Sequence, residues 1–318
     1  MRAALIGAGV IGSVHAAILQ KRGDLCAVCD IDAEKLKRFP SLPVYTDYKR
    51  MLDEVKPDSV HICTPHYLHA EMITEALGQN INTLCEKPLC ITKEQMKNVI
   101  EAEEKSSASF GVCLQNRYNA ENVFVKEYLS DKKILSVTGT VAWHRDEAYY
   151  RSGDWRGKKA TEGGGVLINQ ALHTLDLVLW LTGIPDSVTA SVSNLTLQNA
   201  IEVEDSALII GKGRPGFTFF ATNGSPCDMP VELTVKTENE LIKVTPGSVV
   251  INGRAVNFEE KYEALGKKCY GSGHEALIND FYSCIESGRR FPIGAEEASR
   301  SVRVILAAYE SGGREILP

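Results

Sequence analysis

The apolar run AALIG passes directly into GAGVIG, which puts Gly7, Gly9 and Gly12 at the junction of a strand-like and a helix-like segment. Few features restrict a fold as much, because each glycine has a separate steric task in a strand–turn–helix that receives a dinucleotide. Gly7 permits the tight turn, Gly9 lets the backbone approach a pyrophosphate, and Gly12 lets the helix pack closely on the strand. Val10 and Ile11 begin the helix, whose first N–H groups and partial positive charge favour phosphate oxygens. Asp30 ends the next strand-like run, LCAVCD, eighteen residues beyond Gly12. A carboxylate there accepts hydrogen bonds from the adenosine ribose hydroxyls and repels a 2′-phosphate, which favours NAD over NADP. The same residues also describe an ordinary strand-to-helix turn with a surface aspartate.

Strand-like runs at 25–30, 59–64, 82–85 and 109–115 follow the one at 3–7, with helix-like patterns starting near Ile11, Ala33, Tyr48, His69 and Thr92. Thr92 and Gln95 read as a capping box at the start of the last of these. This alternation predicts an α/β fold: a doubly wound parallel sheet of Rossmann type over residues 1–118, with helices on both faces. Right-handed crossovers bring the carboxyl ends of its strands to one edge, where ligands bind. Beyond about residue 130 the strand-like runs, from ILSVTGTVAWHR to SVVING, follow one another with few helices between. Residues 119–318 are therefore expected to form an α+β domain with a large, open-faced, mainly antiparallel sheet. A helix is predicted over 162–183, and two more close the chain, from about His274 to Ser287 and from Ala295 to Tyr309.

A length of 318 residues suits two domains, and 44% apolar with 24% charged residues suits a core and a solvated surface. The net charge of −6 and the lack of any lysine/arginine run argue against nucleic acid as a partner. No stretch reaches the about 18 apolar residues of a membrane span. The opening MRAALIGAGVIGSVHAAIL superficially resembles a signal peptide, but its glycine spacing and lack of a cleavage site favour structure. Nine cysteines (26, 29, 63, 85, 90, 113, 227, 269 and 284) are scattered, several within strand-like runs. That pattern favours reduced, buried thiols and a cytoplasmic location. Cys26-x-x-Cys29 has the spacing of a redox or zinc pair, yet it lies in a strand pattern with no second pair following, so no metal is expected.

NTLCEKPLC (82–90) ends an apolar run in Glu86, Lys87 and Pro88. If the sheet binds a dinucleotide, Lys87 sits at a strand's carboxyl end near the nicotinamide. A desolvated lysine there suits the proton acceptor of an alcohol dehydrogenase. Taken alone, the triplet also fits a salt-bridged strand end before a turn.

Together with the glycine loop, the segments ICTPHYLHAEMITEAL, LCEKPL, EGGGVLINQALHTLDLVLWLTG and HEALINDFYSCIESGRRFPIG resemble the Gfo/Idh/MocA oxidoreductases over essentially the whole chain. The resemblance implies a Rossmann domain and a second domain whose open sheet serves oligomerisation, as a homodimer or homotetramer. It implies that Lys87 is the catalytic lysine, placed by Glu86–Lys87–Pro88 beside the cofactor. Thr64, Pro65 and His69 match the family's cofactor-side segment, and His66 stands where relatives often carry asparagine. His173 aligns with the family's active-site histidine, near substrate and lysine.

Asn169, His173 and Asp176 are spaced i, i+4 and i+7, one face of a helix whose other side carries Leu172, Leu175, Leu179 and Trp180. Without the resemblance, His173 reads as a satisfied structural histidine. Asn169 departs from the family's aspartate in D-x-G-x-H. Its amide can orient a sugar hydroxyl but holds no charge, which counts against a carboxylate relay through Asn169 and against inositol. The segment WHRDEAYYRSGDWRGKKATEGGG offers Tyr149, Tyr150, Arg151, Trp155 and Arg156 as stacking faces and charge for a sugar, or as an ordinary loop over the sheet edge. Arg117, in QNRY, is a further candidate for ligand binding at the cofactor edge.

These readings converge on an NAD-dependent dehydrogenase or reductase of a secondary hydroxyl or ketone in a sugar, sugar acid or cyclitol. Lys87 would exchange the hydroxyl proton, and His173 with Asn169 would fix the substrate. Two alternatives share the fold: a glycosidase that oxidises its substrate transiently on retained NAD, and a non-catalytic NAD-sensing regulator.

Overall fold

Ala3–Ile6 are buried along their whole length and form strand β1. In the computed structural model, which describes residues 1–259 and 271–318, an alternation of buried strands and helices follows. It runs α1 (Val10–Arg22), β2 (Leu25–Cys29), α2 (Ala33–Leu36), β3 (Val44–Tyr45), α3 (Tyr48–Val55) and β4 (Ser59–Ile62). It continues with α4 (His69–Gly78), β5 (Asn82–Glu86), α5 (Lys93–Lys105) and β6 (Phe110–Cys113). Thr92 Oγ1 accepts the Gln95 amide at 3.1 Å, and Gln95 Oε1 accepts the Ile91 amide at 2.9 Å. The cap thus works as read, shifted by one residue on its return arm.

The six strands pair in parallel in the order β3-β2-β1-β4-β5-β6. The order reverses between β1 and β4, so the loops after these two strands flank the crevice where such sheets bind ligands. β3, an edge strand of two residues, has no apolar run to announce it.

The second part of the chain holds α6 (Ala120–Tyr128), β7 (Ile134–Ala142), α7 (Glu147–Arg151), α8 (Leu172–Thr182), β8 (Ser187–Ser193), β9 (Ser206–Lys212) and β10 (Gly216–Thr222). The hairpins β11 (Glu232–Thr237), β12 (Leu241–Thr245), β13 (Ser248–Ile251) and β14 (Arg254–Val256) follow, then α9 (Gly273–Ser287), α10 (Ala295–Ser311) and β15 (Glu315–Ile316). Among the described residues nine strands make one sheet, β14-β13-β12-β11-β7-β10-β9-β8-β15, antiparallel except where β7 meets β10. α8 covers one face: a Cβ at Gly139 of β7 would lie 2.6 Å from Phe219 and 3.0 Å from Val178 of the helix. On the other face, alternate residues of β9 and β10 leave Leu208, Ile210 and Phe220 exposed in the single chain.

Two expectations change. The helix predicted over 162–183 begins only at Leu172. A Cβ at Gly164 would fall 1.9 Å from Tyr309 Oη and one at Gly165 1.8 Å from the Glu204 carbonyl oxygen, so the glycines pack as turns against other elements. The division at 118/119 also shifts. The chain folds into two compact units, the first joining Met1–Leu114 to His274–Ala298, the second running from Gln115 and taking in Ser299–Pro318. Tyr282 of α9 bonds Ser59 of β4 at 2.9 Å, and Phe291 occupies the space that Gly111 of β6 leaves beside it.

Eight cysteines are free thiols, most of them buried; Cys269 lies outside the described residues. Cys29 is buried within β2, where burial pushes its thiol up to about 12, so the Cys26-x-x-Cys29 spacing belongs to a strand. Among the described residues no helix is long and apolar enough to cross a membrane.

Candidate active site

In the first unit the glycine loop is fixed by contacts that leave no room for larger residues, except at one point. Gly7 adopts φ +93°, and a Cβ there would lie 2.4 Å from the Cys63 carbonyl oxygen. A Cβ at Gly12 would lie 1.9 Å from the Gly7 carbonyl oxygen. Around Gly9, by contrast, nothing lies within 4 Å of the Cβ position. Gly9 is the N-cap of α1, so the open space faces unpaired helix N–H groups, with Val10 exposed and Ile11 half-buried beside it. This cradle fits a dinucleotide pyrophosphate.

Asp30 is buried just after β2, where Oδ2 accepts the Ala8 amide at 2.7 Å and Oδ1 the Asp32 amide at 2.9 Å. Oδ2 keeps a further lone pair for a ribose hydroxyl. Lys35 Nζ approaches at 3.4 Å, and Arg38 bonds Ser13 Oγ at 2.8 Å and the Ala8 carbonyl. Arg38 does not stand out in the sequence, because nothing local ties it to a loop thirty residues earlier.

Lys87 follows β5, half-buried, and its bond to Pro88 is cis. Thr64 and Pro65 are half-buried after β4. His69 is fully buried, with Nδ1 2.7 Å from the Pro88 carbonyl oxygen and Nε2 2.9 Å from that of Thr64. It ties the loop after Lys87 to the loop after β4. Burial lowers its pKa, against the two carbonyl hydrogen bonds that favour the charged ring. The Glu86 carboxylate turns inward, 3.0 Å from His15 Nε2 and 3.8 Å from His274 Nε2, while Oε2 accepts the Lys87 amide at 3.2 Å.

In the second unit Tyr149 gathers several expected residues. Its hydroxyl meets Arg156 Nη1 at 2.6 Å, Gln170 Nε2 at 2.9 Å and Asn169 Nδ2 at 3.4 Å. The Arg156 guanidinium lies over the rings of Tyr149 and Trp155, 4.6 Å from each centroid. Asn169, just before α8, also donates to Glu162, whose other oxygen takes the Gly157 amide. Glu162 is fully buried, so a carboxylate does stand beside Asn169, supplied from seven residues upstream. Neither Glu162 nor Gln170 carries a local sequence signal. Tyr150 is turned into the core, bonded to Asn223 at 2.9 Å, and Arg151 pairs with Glu147 on the surface.

His173 is half-buried in the first turn of α8, its Nε2 3.4 Å from Gln115 Nε2. Arg117 follows β6, in QNRY. It is 6% exposed and grips Asp176 bidentately, with both N···O distances 2.7 Å. Its charge is spent inside the unit, and Asp176 serves as its partner.

The family profile described as "Oxidoreductase family, NAD-binding Rossmann fold" matches residues 1–113, and that of the GFO/IDH/MocA C-terminal domain matches 132–239. D-glucoside 3-dehydrogenase of Escherichia coli (strain K12) is 31% identical over 196 residues, 58% of this chain and 55% of that protein. The first curated relatives are likewise matched over about half of their length. The scyllo-inositol 2-dehydrogenase (NADP(+)) IolW of Bacillus subtilis (strain 168) is 22% identical, with 98% of this chain and 93% of that protein aligned. The structure of the WlbA dehydrogenase from Bordetella pertussis, in complex with NADH and UDP-GlcNAcA, superposes with a TM-score of 0.86 at 26% identity. It covers 100% of this chain and 98% of that one.

Proposed function

The chain belongs to the GFO/IDH/MocA oxidoreductase family, and from that membership we propose that it is an NAD-dependent dehydrogenase acting on a secondary hydroxyl of a sugar, sugar acid or cyclitol. The observation that carries the reading is Lys87 at the carboxyl end of β5, in the unit that holds the Gly7–Gly9–Gly12 cradle. The activities and ligands of relatives, a glucoside dehydrogenase, an inositol dehydrogenase and a nucleotide-sugar complex, support the substrate class.

When bound, the nicotinamide dinucleotide supplies the hydride acceptor for oxidation and the donor for reduction. Gly9 and the start of α1, with Val10 and Ile11, hold its phosphates, and Asp30 accepts from the ribose hydroxyls and disfavours a 2′-phosphate. Thr64 and Pro65 border the cofactor, and His69 keeps their loop in place. Lys87 takes the hydroxyl proton during oxidation and returns it during reduction. His173 and Asn169 orient the sugar, with Tyr149, Trp155 and Arg156 offering ring faces and charge. The exposed apolar face of the nine-stranded sheet suits a second copy of the chain, as a homodimer or homotetramer, and the buried thiols suit the cytoplasm.

The test is Lys87→Met, assayed for NADH formation across glucosides, inositols and uronic acids. Turnover is expected to vanish while NAD binding, read by fluorescence quenching, stays nearly intact. Substantial residual turnover would remove Lys87 from the role.

A further inference from the structure

Behind Lys87 the first unit buries a connected row of polar side chains. His15 on α1 reaches Glu86 Oε1 through Nε2 at 3.0 Å and His61 on β4 through Nδ1, nitrogen to nitrogen, at 2.8 Å. His61 Nε2 lies 3.0 Å from the Tyr282 hydroxyl on α9, which lies 2.9 Å from Ser59 Oγ. His15, His61, Ser59 and Tyr282 are fully buried and Glu86 nearly so. Among the described residues the other titratable groups acting on Glu86 or beside it include Cys63 after β4, His69 on α4, Cys85 on β5, Lys87, Cys113 on β6 and His274 on α9. Arg22 on α1 faces His61 and lies over the Tyr282 ring.

Two ring nitrogens 2.8 Å apart must share one proton, because two lone pairs or two N–H groups would repel. The row therefore has two complete hydrogen-bond patterns. In one, His15 is protonated on both nitrogens and donates to Glu86 and His61; His61 then donates to Tyr282, and Tyr282 to Ser59. In the other, His15 is neutral and donates only to Glu86. His61 now donates to His15, Tyr282 to His61, and Ser59 to Tyr282. The first pattern holds one proton more, and no side chain has to move between them.

We infer that this row is a one-proton store setting the charge next to Lys87, with His15 and Glu86 as positioning residues for the lysine's basicity; the inference rests on Lys87 as the proton acceptor. In the proton-rich pattern the His15 imidazolium compensates the Glu86 carboxylate. In the proton-poor pattern the carboxylate is uncompensated, which favours the ammonium form of Lys87 and makes it a stronger base. The neighbouring groups agree with this assignment. Burial and the charges of His15 and Arg22 hold His61 well below the ordinary histidine range. Burial, with the charges of His15 and Lys87, brings His274 down to about 4. Burial pushes the Glu86 carboxyl up, but the His15 hydrogen bond and the charges of His15, His274 and Lys87 outweigh it and keep it ionised.

The test needs no substrate. With NAD present, the full chain is pulsed with an amine-acylating reagent across pH, and Lys87 labelling is read by peptide mass spectrometry. Glu86→Gln removes the carboxylate charge and is expected to lower the labelling midpoint by about one pH unit or more. His15→Gln still donates to Glu86 but carries no charge, so the midpoint is expected to rise. Tyr282→Phe removes the acceptor that the proton-rich pattern needs at His61, and a smaller rise follows; this variant keeps the test open if His15→Gln misfolds. A purely structural role would leave the midpoints in place or move them all one way, and either result overturns the proposal. Stoichiometric zinc that survives dialysis against a chelator would overturn it too, since His15, Glu86, Cys113 and His274 offer donor atoms within 4.8 Å of one another. Turnover in Lys87→Met would cancel the lysine's role as base while leaving the labelling shifts standing, so the two failures are distinguishable.

Discussion

Tyr309 donates its hydroxyl to Glu204 Oε1 at 3.0 Å, deep in the second unit. Glu204 also accepts the amides of Gly165 at 2.8 Å and Leu167 at 3.0 Å, so it holds the turn that precedes α8. Burial pushes its carboxyl up to about 7, against these donors. A folded-state pKa above the ordinary 4.5 means the folded chain binds this proton more tightly. The stabilisation is full below about pH 4.5 and is lost as pH rises through about 7, a change of about 3 kcal/mol. Glu204→Gln cannot ionise, so its unfolding free energy should decline less between pH 5 and 8 than that of the wild type. Urea titrations at several pH values check this; parallel curves for the two proteins would refute it.

Arg117 and Asp176 are both buried and paired at two points, which makes either one costly to leave alone. Arg117→Ala should destabilise the chain by about 3–5 kcal/mol in chemical denaturation, because the Asp176 charge stays buried without its guanidinium. The double variant Arg117→Leu/Asp176→Leu should cost clearly less than the single one, as apolar pairs replace buried ion pairs at low cost. A single variant with unchanged stability and weakened substrate binding would return Arg117 to the ligand.

What could be read from the sequence was local. The Gly7–Gly12 loop, Asp30 and the Thr92 cap each depend on residues a few positions apart or on one strand–helix repeat, and all have their expected local structure. The start of α8 was not readable, because Gly165 is held by Glu204, 39 residues away. Likewise α9 shows an apolar face but not which unit it covers; that is decided by partners such as Ser59, 223 residues from Tyr282. Asn169 reads as a lost carboxylate until Glu162 folds back onto it. Glu86 shows the same limit: its strand-end position points to the cofactor, whereas His15, 71 residues earlier, draws it inward.

Asp30 should decide between the two dinucleotides. Asp30→Asn keeps an oxygen for the Ala8 amide but loses the charge. A charge-assisted hydrogen bond is worth about 1.5–3 kcal/mol, so NAD affinity should fall about tenfold to a hundredfold. NADP should weaken less or improve, since the repulsion of its 2′-phosphate disappears while Lys35 and Arg38 remain nearby. Quenching titrations with both cofactors measure this, and an unchanged NAD/NADP ratio would exclude Asp30 from cofactor choice.

Gly9 and Gly12 should respond oppositely to the same added methyl group. At Gly12 the Cβ would sit 1.9 Å from the Gly7 carbonyl oxygen, a backbone atom that cannot step aside, so Gly12→Ala should lower the melting temperature by several degrees. At Gly9 the Cβ meets nothing within 4 Å, and φ −73° with ψ −159° is extended backbone open to alanine. Gly9→Ala should therefore melt within a degree or two of the wild type. Its methyl group would occupy the space through which a pyrophosphate approaches the N-terminus of α1, so NAD affinity should drop about tenfold or more. Thermal melts without cofactor, paired with NAD titrations, separate the two effects. If Gly9→Ala binds NAD normally, the open space at Gly9 is not where the phosphates lie.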